Sequence, residues 1–102
     1  MKTLLMTAAL AVLATGALAA TPDEAMKKAG CVACHAMDKK VIGPAFKDIA
    51  AKYKGQDVTA KLMEKVRKGG SGVWGPIPMS PNGPDKISDV DLKALVESIL
   101  KT

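Results

Sequence analysis

Two cysteines and the only histidine of the chain lie within five residues, in the segment Cys31-Val32-Ala33-Cys34-His35. On a helical turn, positions i, i+3 and i+4 share one face, so two thiols and an imidazole can meet one flat object. Thioether bonds from the thiols to the two vinyl groups of a haem would fix the macrocycle, and the histidine would reach its iron from one side. The spacing therefore predicts covalent haem attachment through Cys31 and Cys34, with His35 as an axial iron ligand.

Three other chemistries compete for these residues. A redox-active Cys-x-x-Cys pair expects a βαβ context, and the sequence has no strand pattern. A structural zinc site needs four nitrogen or sulfur ligands, whereas the chain offers three. A plain structural disulfide would leave His35 without a role. The adjacent histidine, together with the secretion signal described below, favours haem over these alternatives.

The second axial ligand decides the function, because an open iron position binds gases or peroxide and a filled one favours electron transfer. A second histidine is lacking, so the candidates are the four methionines beyond residue 19: Met26, Met37, Met63 and Met79. Met37 lies two residues from His35 and cannot cross to the opposite haem face. Met26 and Met63 lie in helical segments, where a core position is the simpler interpretation. Met79 lies in a proline-rich segment long enough to pass around the macrocycle, and it is the predicted ligand.

Ligation by histidine and methionine predicts a role in electron transfer. A thioether is a soft, neutral ligand that raises the reduction potential of the iron. With both axial positions filled, little rearrangement accompanies one-electron exchange, so we expect an electron-transfer protein and not an enzyme. Two alternatives stay open: a gas-binding or peroxide-reacting haem protein with a labile sixth ligand, and a haem subunit of a larger enzyme.

Composition limits what can surround the haem. The chain has 102 residues, 48% of them hydrophobic, a formal net charge of +5, and one Trp, one Tyr and one Phe. This size excludes large α/β enzymes and repeat arrays, and a domain so small buries only roughly 60% of its unfolded surface. A porphyrin would supply the missing apolar centre, so we expect the apoprotein to be largely unfolded.

The first 19 residues differ from the rest of the chain. A basic start at Met1-Lys2 precedes an apolar run from Leu4 to Leu18, and Ala17-Leu18-Ala19 is an A-x-A cleavage site. The run is shorter than the ~20 residues of a membrane span, so it predicts a secretory signal peptide cut after Ala19. Residues 20–102 would then form a single domain in a bacterial periplasm, with no membrane span after cleavage.

Four segments of the remaining chain have helical periodicity. They run from the capping box Thr21-Pro22-Asp23-Glu24 to Gly30, from Gly43-Pro44 to Gly55, from near Asp57 or Thr59 to Gly69-Gly70, and from Ser88 to the end of the chain. Residues 69–87 contain four prolines and five glycines, and we expect them to form a loop without regular structure that wraps the haem.

Three motifs together resemble the small bacterial class I cytochromes c of the cytochrome c-551 type. They are Cys31-Val32-Ala33-Cys34-His35-Ala36, Val41-Ile42-Gly43-Pro44-Ala45 and Gly72-Val73-Trp74-Gly75-Pro76-Ile77-Pro78-Met79. The resemblance covers essentially all of residues 20–102. It implies an all-α, small class I cytochrome c fold, with about four helices around one covalently bound haem c whose iron is held by His35 and Met79.

The resemblance also implies roles for neighbouring residues. The Pro44 carbonyl would accept a hydrogen bond from the second ring nitrogen of His35. Asn82 would donate its side-chain amide to the sulfur of the axial methionine. Trp74 would donate its indole N–H to a haem propionate. Lys65 stands where relatives often carry an arginine bonded to a propionate, and lysine lacks the guanidinium fork for that contact.

The positive net charge suggests partners with acidic docking surfaces. Lysines at the haem edge could steer docking, and we predict that Lys28, Lys39, Lys40 and Lys68 contribute. Members of the resembling family carry electrons in respiratory chains, commonly to a nitrite reductase, a cytochrome c peroxidase or a terminal oxidase. Nucleic acid is a poor candidate in the periplasm, and a monomer is expected.

Overall fold

A computed structural model describes residues 20–102, so the predicted signal peptide lies outside the described residues. The described chain contains α1 (Pro22–Ala29), a 3-10 turn (Cys31–Ala33), α2 (Phe46–Lys52), α3 (Thr59–Lys68), β1 (Gly70–Gly72), β2 (Gly75–Met79) and α4 (Asp89–Leu100). The four predicted helices are present, and the all-α fold is confirmed. Over this described range, none of the helices has the length and apolar character that crossing a membrane requires.

Local sequence signals set the helix ends. At the start of α1 the Thr21 hydroxyl accepts from the Glu24 amide at 3.3 Å, and the Glu24 carboxylate accepts from the Thr21 amide at 3.4 Å. This reciprocal capping box satisfies two amides that a helix start leaves without partners. Gly30 ends α1 with a φ of +82°, a left-handed conformation that favours glycine. The Ser88 hydroxyl caps α4 by accepting from the Asp91 amide at 3.2 Å.

The core lies around α4, which packs against the other three helices. Leu92, Leu95 and Val96 on α4 are almost completely buried, and they meet Met26 of α1 and Phe46 of α2. By contrast, α3 has no fully buried residue, and its apolar side chains are only partly covered. The face of α3 that should complete the core instead borders a cavity.

The prediction that residues 69–87 lack regular structure is wrong for residues 70–79, which form an antiparallel hairpin. Gly70 pairs with Met79 and Gly72 with Gly75, around a two-residue turn at Val73 and Trp74. The three glycines have φ angles of +117°, +115° and +108°, which residues other than glycine rarely adopt. Prolines are tolerated in β2 because a strand at a sheet edge needs few amide donors. Gly, Ser and Pro make up most of both strands and leave only Ile77 and Met79 as apolar positions, too few to reveal a strand in the sequence.

Candidate functional site

The two cysteines and the histidine lie on one tight turn directly after α1. The Cys31 carbonyl accepts from the Cys34 amide at 3.1 Å and from the His35 amide at 3.0 Å. These bonds wind the segment into a 3-10 turn that continues into an α-type turn. The predicted helical turn is therefore present, and it brings the two thiols and the imidazole to the wall of a single cavity.

Burial raises the pKa of the Cys31 thiol, and the nearby Cys34 adds to the rise. Catalytic Cys-x-x-Cys pairs have the opposite property, because a lowered pKa supplies the attacking thiolate. The environment of Cys31 therefore does not match that of a redox-active dithiol. A half-buried neutral thiol at the edge of a cavity is compatible with covalent attachment of a group that fills the cavity.

The His35 ring is fixed on three sides. Its Nδ1 donates to the Pro44 carbonyl at 2.7 Å, so the hydrogen bond that the resemblance implied is present. The Phe46 ring stacks against the imidazole with centroids 5.3 Å apart. A β-carbon built on Gly43 would lie only 2.5 Å from the ring Cε1, so the glycine backbone sits directly against the imidazole. Because Nδ1 carries the proton, the lone pair of Nε2 is left for a metal ion.

The segment that carries Gly43 and Pro44 is folded back onto the cysteine turn. The amides of Ile42 and Gly43 both donate to the Cys34 carbonyl, at 3.2 and 2.8 Å. The Phe46 amide then donates to the Ala36 carbonyl at 2.9 Å as α2 begins. These backbone bonds place the Pro44 carbonyl beside the imidazole, so the orientation of the histidine is set by the main chain.

A cavity of about 500 Å³ lies between this turn, the hairpin and the faces of α3 and α4. Cys31, Cys34 and His35 line one side, and Met79 at the end of β2 also lines it. Of the four methionines in the described part of the chain, Met79 alone reaches the cavity wall. Met26 is buried in the core, and Met37 is exposed to solvent. The structure therefore brings together the four residues that the sequence singled out for haem and iron.

The cavity fits a haem in size, lining and donor set. Its volume falls within the range of about 300–1,000 Å³ that is typical of sites for small molecules and cofactors. Apolar residues from all four helices form much of its wall, among them Phe46, Leu62 and Leu95. The wall also offers two thiols, one imidazole and one thioether. A macrocycle placed there would cover the apolar face of α3 that the protein itself leaves open.

Asn82 departs from the expectation of a bond to the sulfur of Met79. Its side chain is nearly buried, and its Nδ2 donates to the carbonyls of Val66 at 3.3 Å and Ser80 at 3.1 Å. An amide nitrogen has two hydrogens, and both are engaged by backbone oxygens, so neither is left for the sulfur. The Asn82 side chain thus ties the segment after Met79 to the end of α3.

Trp74 and Lys65 both line the cavity. Trp74 occupies the hairpin turn, and the Lys52 ammonium lies 5.4 Å from the centroid of the indole ring, within cation–π range. The Lys65 ammonium lies near Gly70, where a built β-carbon would come within 3.2 Å of it. Both residues are placed where a carboxylate at the cavity mouth could meet them, and their contacts with propionates stay predictions.

Arg67 is the residue that the sequence analysis missed. Its guanidinium donates to the Asn82 carbonyl at 3.3 Å and to the Ile87 carbonyl at 2.7 Å, and it pairs with Asp89 at 2.6 Å. Its side chain is 19% exposed, whereas the side chain of the next residue, Lys68, is 74% exposed. One signal was available: it is the only arginine of a chain with 14 lysines.

The lysines at the cavity differ from the predicted set. Of the four lysines proposed for docking, Lys40 lines the cavity, as do Lys65 and Lys86, which were not proposed. Lys68 is engaged with Glu64 at 2.7 Å on an exposed part of α3.

Comparisons with known proteins point to one family. The sequence model of the cytochrome c family matches residues 20–102. The chain is 48% identical over 89 residues to cytochrome c-551 of Pseudomonas aeruginosa, covering 86% of this chain and 83% of that protein. The crystal structure of Nitrosomonas europaea cytochrome c552 superposes with a TM-score of 0.70 at 50% identity, covering 78% of this chain and 96% of that one. The crystal structure of the class 1 cytochrome MtoD from Sideroxydans lithotrophicus ES-1 superposes with a TM-score of 0.68 at 28% identity, covering 79% of this chain and 91% of that one.

Proposed function

The chain belongs to the cytochrome c family, and on that premise we propose that it carries single electrons between respiratory proteins in a bacterial periplasm, through a haem iron held by His35 and Met79. It binds haem c covalently and serves as an electron carrier, not as an enzyme. The haem supplies the iron whose oxidation state changes by one electron. The protein residues decide how tightly that iron is held and which of its two states is favoured.

One observation carries the assignment of ligands. A single cavity is lined by both thiols of the attachment turn, by an imidazole with its Nε2 free, and by one methionine out of four. We assign Cys31 and Cys34 to the thioether bonds, His35 to one axial position and Met79 to the other. The bond from His35 to the Pro44 carbonyl keeps the ring in one orientation and raises its basicity. The thioether of Met79 favours ferrous iron.

The ligand assignment is tested by comparing Met79→Ala with Met63→Ala. In the ferric wild type we expect the charge-transfer band of a methionine–iron bond and slow, weak binding of carbon monoxide after reduction. Met79→Ala should lose the band and bind carbon monoxide readily. Met63→Ala, in which a partly buried residue outside the cavity is truncated, should keep the band. A band that survives in Met79→Ala would refute the assignment, and a wild type that binds carbon monoxide readily would favour the gas-binding or peroxide-reacting alternative.

Secretion is the second part of the proposal. We propose that residues 1–19 are a signal peptide cut after Ala19, a boundary that is supported by the start of the family match at residue 20. Haem attachment and folding would then follow export. The test is N-terminal sequencing of the haem-containing protein from a periplasmic extract, which should begin at Ala20. A haem protein that retains Met1 in a membrane fraction would contradict this proposal.

The third part concerns docking. Lys40, Lys65 and Lys86 line the cavity, so an acidic partner surface would be attracted to the side at which electrons leave. The rate of electron exchange with anionic ferricyanide should fall as salt rises, and that with a cationic cobalt complex should rise. Lys40→Gln should weaken this salt dependence, whereas Lys47→Gln, an exposed change on α2 away from the cavity lining, should not. Equal effects of both variants would indicate that only net charge matters.

A further inference from the structure

The segment that follows Met79 must hold the methionine against the cavity. It leaves the hairpin at Ser80 and joins α4 at Ser88, and it contains no helix or strand of its own. Its backbone therefore needs partners outside itself. Those partners lie on the last turn of α3 and at the start of α4.

The end of α3 contacts this segment close to Met79. Gly69 packs so tightly that a β-carbon built on it would collide with the Met79 carbonyl and lie 2.9 Å from the Pro81 nitrogen. Three residues after Met79, the Asn82 amide donates to the Val66 carbonyl at 3.0 Å, and its side chain donates to the same carbonyl. The last turn of α3 thus holds the backbone of the residues that directly follow Met79.

Arg67 binds the remainder of the segment to the last turn of α3. One guanidinium nitrogen reaches the carbonyls of Asn82 and Ile87, and the other reaches the Asp89 carboxylate at 2.6 Å. The arginine thereby joins both ends of the stretch from Asn82 to Ile87 and the first residue of α4. A lysine ammonium, a single point donor, could not hold these acceptors in the same planar geometry.

We propose that Arg67 is a positioning residue that keeps the Met79 sulfur on the iron by fastening residues 80–88 to α3 and α4. The inference rests on the proposed ligation by Met79. Hydrogen bonds to a charged group are the stronger ones in proteins, and three of them converge on a side chain that is mostly buried. Their loss leaves the ligand segment with fewer restraints, so the fraction of molecules in which the sulfur has left the iron rises.

Imidazole binding to the ferric holoprotein measures that fraction, because imidazole must displace the methionine and its apparent affinity follows the population of the open site. We expect Arg67→Gln to raise the apparent imidazole affinity by about ten- to hundredfold. Arg67→Lys should give an intermediate value. Asp89→Asn, which weakens one of the three contacts at an exposed carboxylate, should raise it by a few-fold only.

Two control variants separate positioning from general loss of stability. Lys68→Gln removes the neighbouring exposed ion pair with Glu64 and should leave imidazole binding unchanged. Thr21→Ala removes the α1 cap and should lower the denaturant midpoint, again without changing imidazole binding. An Arg67→Gln protein that loses global stability but binds imidazole as the wild type does would overturn the inference.

A double-mutant cycle separates this inference from the proposed function. If Met79 is the ligand, Met79→Ala should bind imidazole tightly, and adding Arg67→Gln should have no further effect. An Arg67→Gln effect of full size in the Met79→Ala background would show that Arg67 does not act through the methionine, and it would refute the inference alone. Unchanged imidazole binding in Met79→Ala would instead refute the ligation itself.

Discussion

Replacement of Gly43 by alanine tests how the His35 ring is held. The φ of Gly43 is not among the positive values that favour glycine, so an alanine can adopt this backbone. Its methyl group would lie 2.5 Å from the ring Cε1, and ordinary contact begins at 3.4 Å, so the ring or the loop must move by about 0.9 Å. The ring is also stacked on Phe46, with centroids 5.3 Å apart, and this contact restricts its movement.

Movement of the imidazole would lengthen its hydrogen bond to the Pro44 carbonyl. If the ring took up the full movement along that bond, the distance from Nδ1 to the carbonyl would grow from 2.7 Å to roughly 3.6 Å, beyond hydrogen-bonding range. Overpacking costs about 1–3 kcal/mol, and a lost hydrogen bond costs about 0.5–1.5 kcal/mol. We expect the free energy of unfolding to fall by about 2–4 kcal/mol. The reduction potential should rise, because an imidazole without its carbonyl partner donates less charge to ferric iron.

The assay combines guanidinium unfolding of the ferric holoprotein with spectroelectrochemical titration. Gly55→Ala is the matched control, since Gly55 has a φ of +78° and open space around its β position. It should cost about 1 kcal/mol of backbone strain and leave the potential unchanged. If Gly43→Ala changed neither stability nor potential, the close packing of the glycine on the imidazole would have no mechanical role, and our account of the histidine would be wrong.

Three further predictions concern the haem, the cavity mouth and the surface. Cys31→Ser with Cys34→Ser should give a colourless protein with little helical circular dichroism, because the rest of the protein covers the apolar side chains of α3 only in part; native helicity would contradict this. Lys52→Gln should lower the reduction potential, most strongly at low salt, because a positive charge beside the cavity-lining Trp74 disfavours ferric iron; an equal shift in Lys47→Gln would contradict this. The Glu64–Lys68 pair lowers the pKa of the glutamate below 4.5 and raises the pKa of the lysine above 10.5. Its small stabilisation, measured as the difference from Lys68→Gln, should therefore be constant across neutral pH. It should be lost as pH falls through the lowered pKa of the glutamate or rises through the raised pKa of the lysine.

Much of the helical fold is readable from short stretches of sequence. The capping residues Thr21 and Ser88 and the closing glycine Gly30 act on amides or carbonyls a few residues away, so their effect is visible in the chain itself. The attachment turn is equally local, because the Cys31 carbonyl binds amides three and four residues ahead. The sequence also narrowed the methionines to Met79, since only that residue combined distance from His35 with a constrained loop.

Other features depend on partners that are distant along the chain. Arg67 contacts residues 15, 20 and 22 positions away, and apart from its being the only arginine nothing in the sequence distinguishes it from the surface lysines. Asn82 was expected to serve the methionine sulfur, but the Val66 carbonyl, 16 residues away, takes one of its donors. The hairpin at residues 70–79 was missed because its stability comes from cross-strand pairing, which leaves no apolar period in Gly- and Pro-rich strands.

Residue types and contacts within one turn were enough to predict the candidate donors, the order of the helices and the chemistry of haem attachment. They do not show which of those donors share a cavity, which lysines line it, or how the segment after Met79 is held. Each of these features depends on contacts between segments that are distant along the chain. The packing of α4 against the other three helices brings those segments together.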